Sequence, residues 1–338
     1  MTDHAPTPRR WSLGTAPWAG IETTTPRSRV IIDNDFSGDP DDFFQLVHHL
    51  LSPTVEIPLV VASHLRPDDP MDPSDRTAEN AEALANTVCD LMGLEHDGLV
   101  ARGSNTALTD RSTPRSAPAV ERIIAEAMRE DTDLPLYYAA GGGLTDLASA
   151  YLIEPRIARR LTLLWIGGSE HPGTVDAPPR IEDAPEYNLR IDVTAAQVLF
   201  DAEDLPIWQF TRDIYRQCLI SDSELRLRVR TAGPVGRFLH DAVTDVRARM
   251  AEHGVPVGET YAIGDQPLVL ATALTSQFQP DTSSSFHEVR PCPSISDDGA
   301  YIHRPDGRPI RVYRQVDTRL MFEDMYAKLA ELAAWQRA

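Results

Sequence analysis

The chain has 338 residues, 42% of them hydrophobic, with 51 acidic side chains against 32 Lys and Arg and a formal net charge of -19. That length and apolar content suit one large α/β domain or two smaller ones. So acidic a surface repels phosphate backbones and anionic lipid, so no nucleic acid and no membrane is expected as a partner.

No apolar run is long enough to span a bilayer. The opening stretch, MTDHAPTPRRWSLGTAPWAG, lacks the apolar core of a secretion signal. Residues 1–28 read as an irregular N-terminal arm, and 29–338 as a single domain. Cys89, Cys218 and Cys292 are scattered, as expected of reduced thiols in a cytoplasmic protein and not of a disulfide frame or a zinc site.

The chain is organised around 29–46, RVIIDNDFSGDPDDFFQL. Val30-Ile31-Ile32 reads as a buried strand, followed by an acidic loop holding Asp33, Asp35, Asp39, Asp41 and Asp42, and then by a helix over 42–51. In an open α/β sheet, ligands bind at the carboxyl ends of strands, where this loop falls. Helix capping explains Asp41 or Asp42 alone, but not Asp33 and Asp35 directly after a buried strand. Carboxylates this close repel one another without a counter-charge, which a hard cation of the calcium type, with six to eight oxygen ligands, supplies.

Further strands are expected at 55–63, 98–101, 134–140, 161–166 and 205–210. Helices are expected at 78–92, 118–129, 145–151 and 194–200. Residues 169–185 form a long Pro-rich loop, of the kind that is usually functional. Residues 221–253 carry helical periodicity with a break near Gly233-Pro234, and 265–273 reads as a buried helix. Residues 286–313 are strand-like. Met321, Met325, Leu329, Leu332 and Trp335 share one face of a terminal helix. Strands alternating with helices imply an α/β fold: an open, mostly parallel sheet with helices on both faces.

Two readings of the acidic loop fit poorly. Asp33, Asp35, Ser37, Gly38, Asp39 and Asp41 match positions one, three, five, six, seven and nine of an EF-hand loop, but Phe44 stands at position twelve where the bidentate Glu belongs. A phosphatase of the haloacid dehalogenase type also carries Asp-x-Asp after a strand. It needs a Lys and a downstream acidic pair, and Gly264-Asp265 supplies only half of that pair.

The third reading is a resemblance. The run from Asp33 to Asp42 resembles the N-terminal Asp-x-Asp…Asp-Asp signature of the nucleoside hydrolase family, with two extra residues between the acidic pairs. Gly141-Gly142-Gly143-Leu144-Thr145-Asp146 is similar to the family's Gly-Pro-Leu-Thr-Asn turn. Trp165-Ile166-Gly167-Gly168 is similar to its Met-Gly-Gly element. Pro185-Glu186-Tyr187-Asn188 is similar to its Glu-Phe-Asn segment, and Gly264-Asp265-Gln266-Pro267 to its His-Asp-Pro element.

The resemblance implies a Rossmann-type core, a small-molecule nucleoside substrate, a homodimer or homotetramer, and calcium-dependent hydrolysis of an N-glycosidic bond. Asp35 would be general base and metal ligand. Asp42, Asp265 and the Gly141 carbonyl would complete the calcium shell. Asp41, Glu186 and Asn188 would bind the ribose.

Two departures stand out. Gly264 replaces the His that many members use to protonate the leaving base, which opens the alternative of a nucleoside-binding member without turnover. Ser63-His64 replaces a Gly-Asn, leaving His64 as a candidate substrate contact or proton donor beside His171. Tyr187, Trp208 and Tyr261 are candidates to stack on the base.

Overall fold

Val30 and Ile32 point to one face of the strand Ser28–Asn34, and Ile31 to the other; each joins a different buried cluster. A strand apolar on both faces belongs inside a sheet covered on both sides. The computed structural model, which describes residues 9–18, 24–174, 185–276 and 285–338, shows that arrangement.

Eight strands form one sheet. Their spatial order is Phe286–Pro291, Pro309–Gln315, Ile207–Phe210, Leu161–Ile166, Leu136–Ala140, Ser28–Asn34, Val55–Ala62 and Val100–Arg102. Neighbours pair in parallel except Phe286–Pro291, which lies antiparallel on its edge. The chain starts in the middle at Ser28–Asn34, builds outward through Val55–Ala62, then crosses back to Leu136–Ala140. That reversal opens a crevice beyond the carboxyl ends of Ser28–Asn34 and Leu136–Ala140.

The helices Asp41–Leu50, Thr77–Met92, Pro118–Ala127, Thr145–Ile153 and Val193–Asp201 form close to the expected spans. The break expected near Gly233 is real: Gly233 has φ +72°, a left-handed turn between a π-helical turn at Leu225–Val229 and the helix Gly233–Glu252. The C-terminal helix Thr318–Arg337 buries Met321, Met325, Leu329 and Leu332, whereas Trp335 is half-buried beside Trp18.

Two stretches differ in detail from the sequence reading. Within 286–313, the ribbon Ser294–Ile295 with Tyr301–Ile302 separates two long strands. Within the N-terminal arm, Trp11–Ser12 pairs in parallel with Leu94–Glu95. There Trp11 is buried and its indole donates to the Met92 carbonyl, because one large apolar side chain suffices to dock a short segment. Of the loop 169–185, residues 175–184 lie outside the described residues, as do 1–8 and 19–23 of the arm. Among the described residues no helix is long and apolar enough to cross a membrane.

Candidate active site

The carboxyl end of Ser28–Asn34 and the start of Asp41–Leu50 bracket the acidic loop, so Asp35, Asp41 and Asp42 all reach the crevice at the strand reversal. Asp41 and Asp42 occupy the first turn of their helix, where the helix dipole favours negative charge. Asp265 arrives from more than 200 residues further along the chain, immediately before the helix Gln266–Thr272. One oxygen each from Asp41, Asp42 and Asp265 lies within 4.8 Å of the others.

That tight group contains Asp41, expected to bind sugar, and not Asp35, expected to be a ligand. Asp35 instead lines the wall of the same cavity, together with Asp41, Asp42, Gly141, Glu186, Asn188 and Asp265. The cavity has a volume of about 270 Å³.

Residues without a sequence signal complete the site. The Asn34 amide donates to Asp42 Oδ1 at 2.8 Å and to Asp265 Oδ2 at 2.6 Å, tying the two carboxylates together. Asp69, Met71 and Tyr215 also line the cavity. Only Asn34, inside the acidic signature, carried a positional hint.

Glycine is required where the backbone meets these carboxylates. A Cβ on Gly141 would overlap Asp265 Oδ2, and one on Gly142 would overlap Asp35 Oδ1.

The electrostatics match an oxygen-rich cation site. Burial, and then repulsion from Asp42, pushes the Asp35 carboxyl well up. Burial and Asp265 do the same to Asp42, and burial and Asp41 to Asp265. Asp42 Oδ2 and Asn34 Oδ1 are buried without a hydrogen-bond partner. No Lys, Arg or His is among the described lining residues to supply positive charge. A hard oxygen donor set with an orphaned carboxylate oxygen and no lining cation among the described residues therefore fits a hard divalent cation.

Glu186 and Asn188, expected to bind the ribose, both line the cavity and are held by hydrogen bonds within the protein. Glu186 caps the helix Tyr187–Ile191: its carboxylate accepts from the amides of Gly168, Asn188 and Leu189 and from the Tyr215 hydroxyl. Asn188 donates its side-chain amide to the carbonyls of Gly141 at 2.7 Å and Ile166 at 2.9 Å. The Gly141 carbonyl, expected as a metal ligand, therefore accepts from Asn188.

His64 does not reach the cavity. It is buried beside Thr145, with Nε2 2.8 Å from Thr145 Oγ1 and Nδ1 2.8 Å from the Leu65 carbonyl, and burial lowers its pKa. His171 bonds Gln209 and stacks on Tyr301, away from the lining. Of the aromatic candidates, Tyr187 lines the cavity, Trp208 packs on Tyr137 within the sheet, and the Tyr261 hydroxyl donates to Asp39. Asp33 is buried under the loop and accepts from the Tyr138 hydroxyl at 2.5 Å.

A mostly parallel α/β sheet with carboxylates from distant parts of the chain converging at its switch point places a polar cavity where ligands bind in folds of this class. The sequence profile of the family described as inosine-uridine preferring nucleoside hydrolase matches residues 30–323, and the chain belongs to this family, whose members hydrolyse N-glycosyl bonds. No curated protein sequence matches.

Solved structures share the fold. A plant nucleoside hydrolase, PpNRh1, superposes with TM-score 0.66 at 17% identity, covering 90% of this chain and 99% of its own. A purine-preferring ribonucleoside hydrolase from Gardnerella vaginalis gives 0.63 at 19%, with the same coverage of 90% and 99%. An inosine-uridine preferring nucleoside hydrolase from Bacillus anthracis gives 0.63 at 18%, again covering 90% and 99%.

Proposed function

We propose that this protein hydrolyses the N-glycosidic bond of ribonucleosides, releasing free base and ribose, with calcium held by its carboxylate cluster. The observation that carries this reading is the meeting of Asp42 and Asp265 at one buried point of a cavity that Asp35 also lines. Asp42, Asp265, Asp35 and the Gly141 carbonyl would hold the ion, with Asp41 beside them. When bound, calcium lowers the pKa of water and orients sugar hydroxyls.

The chain's own residues do the rest. Asp35 accepts a proton from the attacking water. Positive charge grows on the anomeric carbon as the base departs, and the carboxylates around it stabilise that charge. Asp41, whose Oδ2 accepts from the Gly264 amide at 2.8 Å, would bind the ribose hydroxyls. Asn188, fixed by two carbonyls, and Glu186, fixed by its helix cap, shape the far side of the sugar.

A second reading, nucleoside binding without turnover, is favoured by one observation: Gly264 puts no side-chain acid beside the cavity. Release of reducing sugar from inosine, uridine and cytidine, with and without a chelator, tests both. Sugar release that Asp35→Asn and chelation abolish supports hydrolysis. Tight nucleoside binding without release supports the second reading, and phosphate release from sugar phosphates overturns both.

The proposal extends to a cytoplasmic homodimer or homotetramer. The three buried, unpaired cysteines support a reducing compartment. Light scattering and cell fractionation check these points.

A further inference from the structure

Three polar side chains are fully buried in the helix Asp41–Leu50: Gln45, His48 and His49. Apolar side chains would hold this helix to its neighbours as well, and burying polar ones costs free energy unless each finds a partner. What hydrogen bonds add is direction, because they fix how one helix is rotated and slid against the next.

His48 is the joint among them. Its Nε2 donates to Asp324 Oδ2 at 2.9 Å, on the C-terminal helix, and its Nδ1 lies 2.7 Å from Gln266 Oε1. Gln266 directly follows Asp265 and opens the helix Gln266–Thr272. Its amide nitrogen donates to Met325 Sδ at 3.4 Å, again on the C-terminal helix. Lys328, one turn beyond Asp324, pairs with Asp324 and donates to Ser52 Oγ, which in turn donates to the His48 carbonyl.

One imidazole therefore ties the helix that presents Asp41 and Asp42 to the residue beside Asp265, and ties both to the C-terminal helix. His48 stands six residues after Asp42, about 9 Å along the helix. It is not among the described residues that line the cavity.

We propose that His48 is a positioning residue for the cation site: it sets the separation of Asp42 from Asp265 and makes the fit of the ion depend on the docked C-terminal helix. This rests on the calcium-dependent hydrolase reading above. Calcium ligands sit at about 2.3–2.6 Å from the ion, and a site works when its groups are held within roughly 0.5 Å. The Asn34 amide joins the two carboxylates themselves; His48 joins the backbones that carry them.

The chain supplies its own control. His49 is equally buried and joins the same two helices, but through Thr272, the last residue of Gln266–Thr272. Losing either histidine removes a buried hydrogen bond between these helices, yet His48 alone of the two holds the end next to Asp265.

The test titrates calcium into the full-length protein by calorimetry, with urea unfolding in chelator as the measure of stability. His48→Leu and Gln266→Leu should each raise the calcium Kd by about 10–100-fold, the usual cost of removing a group that orients metal ligands. The double variant should bind no more weakly than the poorer single one, since both break one link. His49→Leu should also lose stability in urea, while its Kd shifts by less than about twofold. At saturating calcium the kcat of His48→Leu should return to that of the unmodified enzyme, because the bound ion then draws the carboxylates together.

An unchanged Kd in His48→Leu, or an equal rise in His48→Leu and His49→Leu, overturns the inference and leaves the hydrolase reading standing. Absence of calcium binding by the unmodified protein overturns the calcium reading itself. Should His48→Leu not fold, Asp324→Ala probes the same link from its partly exposed end and should raise the Kd by about threefold or more relative to Glu323→Ala. Glu323 pairs with Arg228, and its loss removes an equal charge from the neighbouring position. An equal shift in these two variants overturns the inference.

Discussion

Asn34 and Asp265 lie 231 positions apart in the chain and 2.6 Å apart in space, joined by the Asn34 amide, which also holds Asp42. The amide places partial positive charge between two carboxylates that would otherwise repel. Replacing Asn34 with Leu should therefore destabilise the metal-free protein by about 1–3 kcal/mol, the cost of leaving buried carboxylates without their donor. Saturating calcium should recover much of that loss, so the stabilisation by calcium becomes larger in the variant. Urea unfolding in chelator and in calcium measures both values, and an equal loss in the two conditions contradicts this role.

Asp42→Asn and Asp265→Asn each remove charge from the cluster. Each should weaken calcium binding, read by calorimetry, and lower turnover by roughly 100-fold or more, since the ion's contribution is worth several kcal/mol. Chelator should abolish the activity of the unmodified enzyme, and added calcium should restore it.

Asp35→Asn should lower kcat by about 10²–10⁴-fold, the usual contribution of a general base. An effect confined to KM would place Asp35 in substrate binding alone.

Gly141→Ala puts a methyl into Asp265 Oδ2. The carboxylate or the strand end must shift, at about 1–3 kcal/mol for overpacking. The expected result is lower stability together with weaker calcium binding. Unchanged calcium affinity would mean that Asp265 has room to move.

His49 sets a pH dependence away from the site. It is buried: Gln45 donates its amide to Nδ1, and Nε2 donates to the Thr272 hydroxyl, a neutral ring held at both nitrogens. Burial, and then neighbouring His48, lowers its pKa well below 6.5. The unfolded chain therefore takes up a proton below about pH 6.5 while the folded one does not, so stability is full above that pH and falls as pH drops. The slope for one such group is at most about 1.4 kcal/mol per pH unit. His49→Gln should flatten the decline between pH 6.5 and 5 in urea titrations, and an unaltered slope would assign it to other groups.

The sequence by itself determined the local features. The run Val30-Ile31-Ile32, apolar at consecutive positions, reads as a strand covered on both faces, and the aspartates after it point to the ligand end of the sheet. Helices such as Thr77–Met92 and Val193–Asp201 were legible because apolar spacing and turn residues act over a few neighbours.

The tertiary structure decided which distant groups meet. It brought Asp265 to Asn34 and Asp42, turned His64 against Thr145, and set Tyr215 against Gly264. Glu186 and Asn188 both line the cavity, and their hydrogen bonds go to a helix end and to backbone carbonyls. The reason is physical: periodicity records whether a side chain is buried, whereas its partners depend on how strands order themselves in the sheet, and that order is set by packing between segments far apart in the chain.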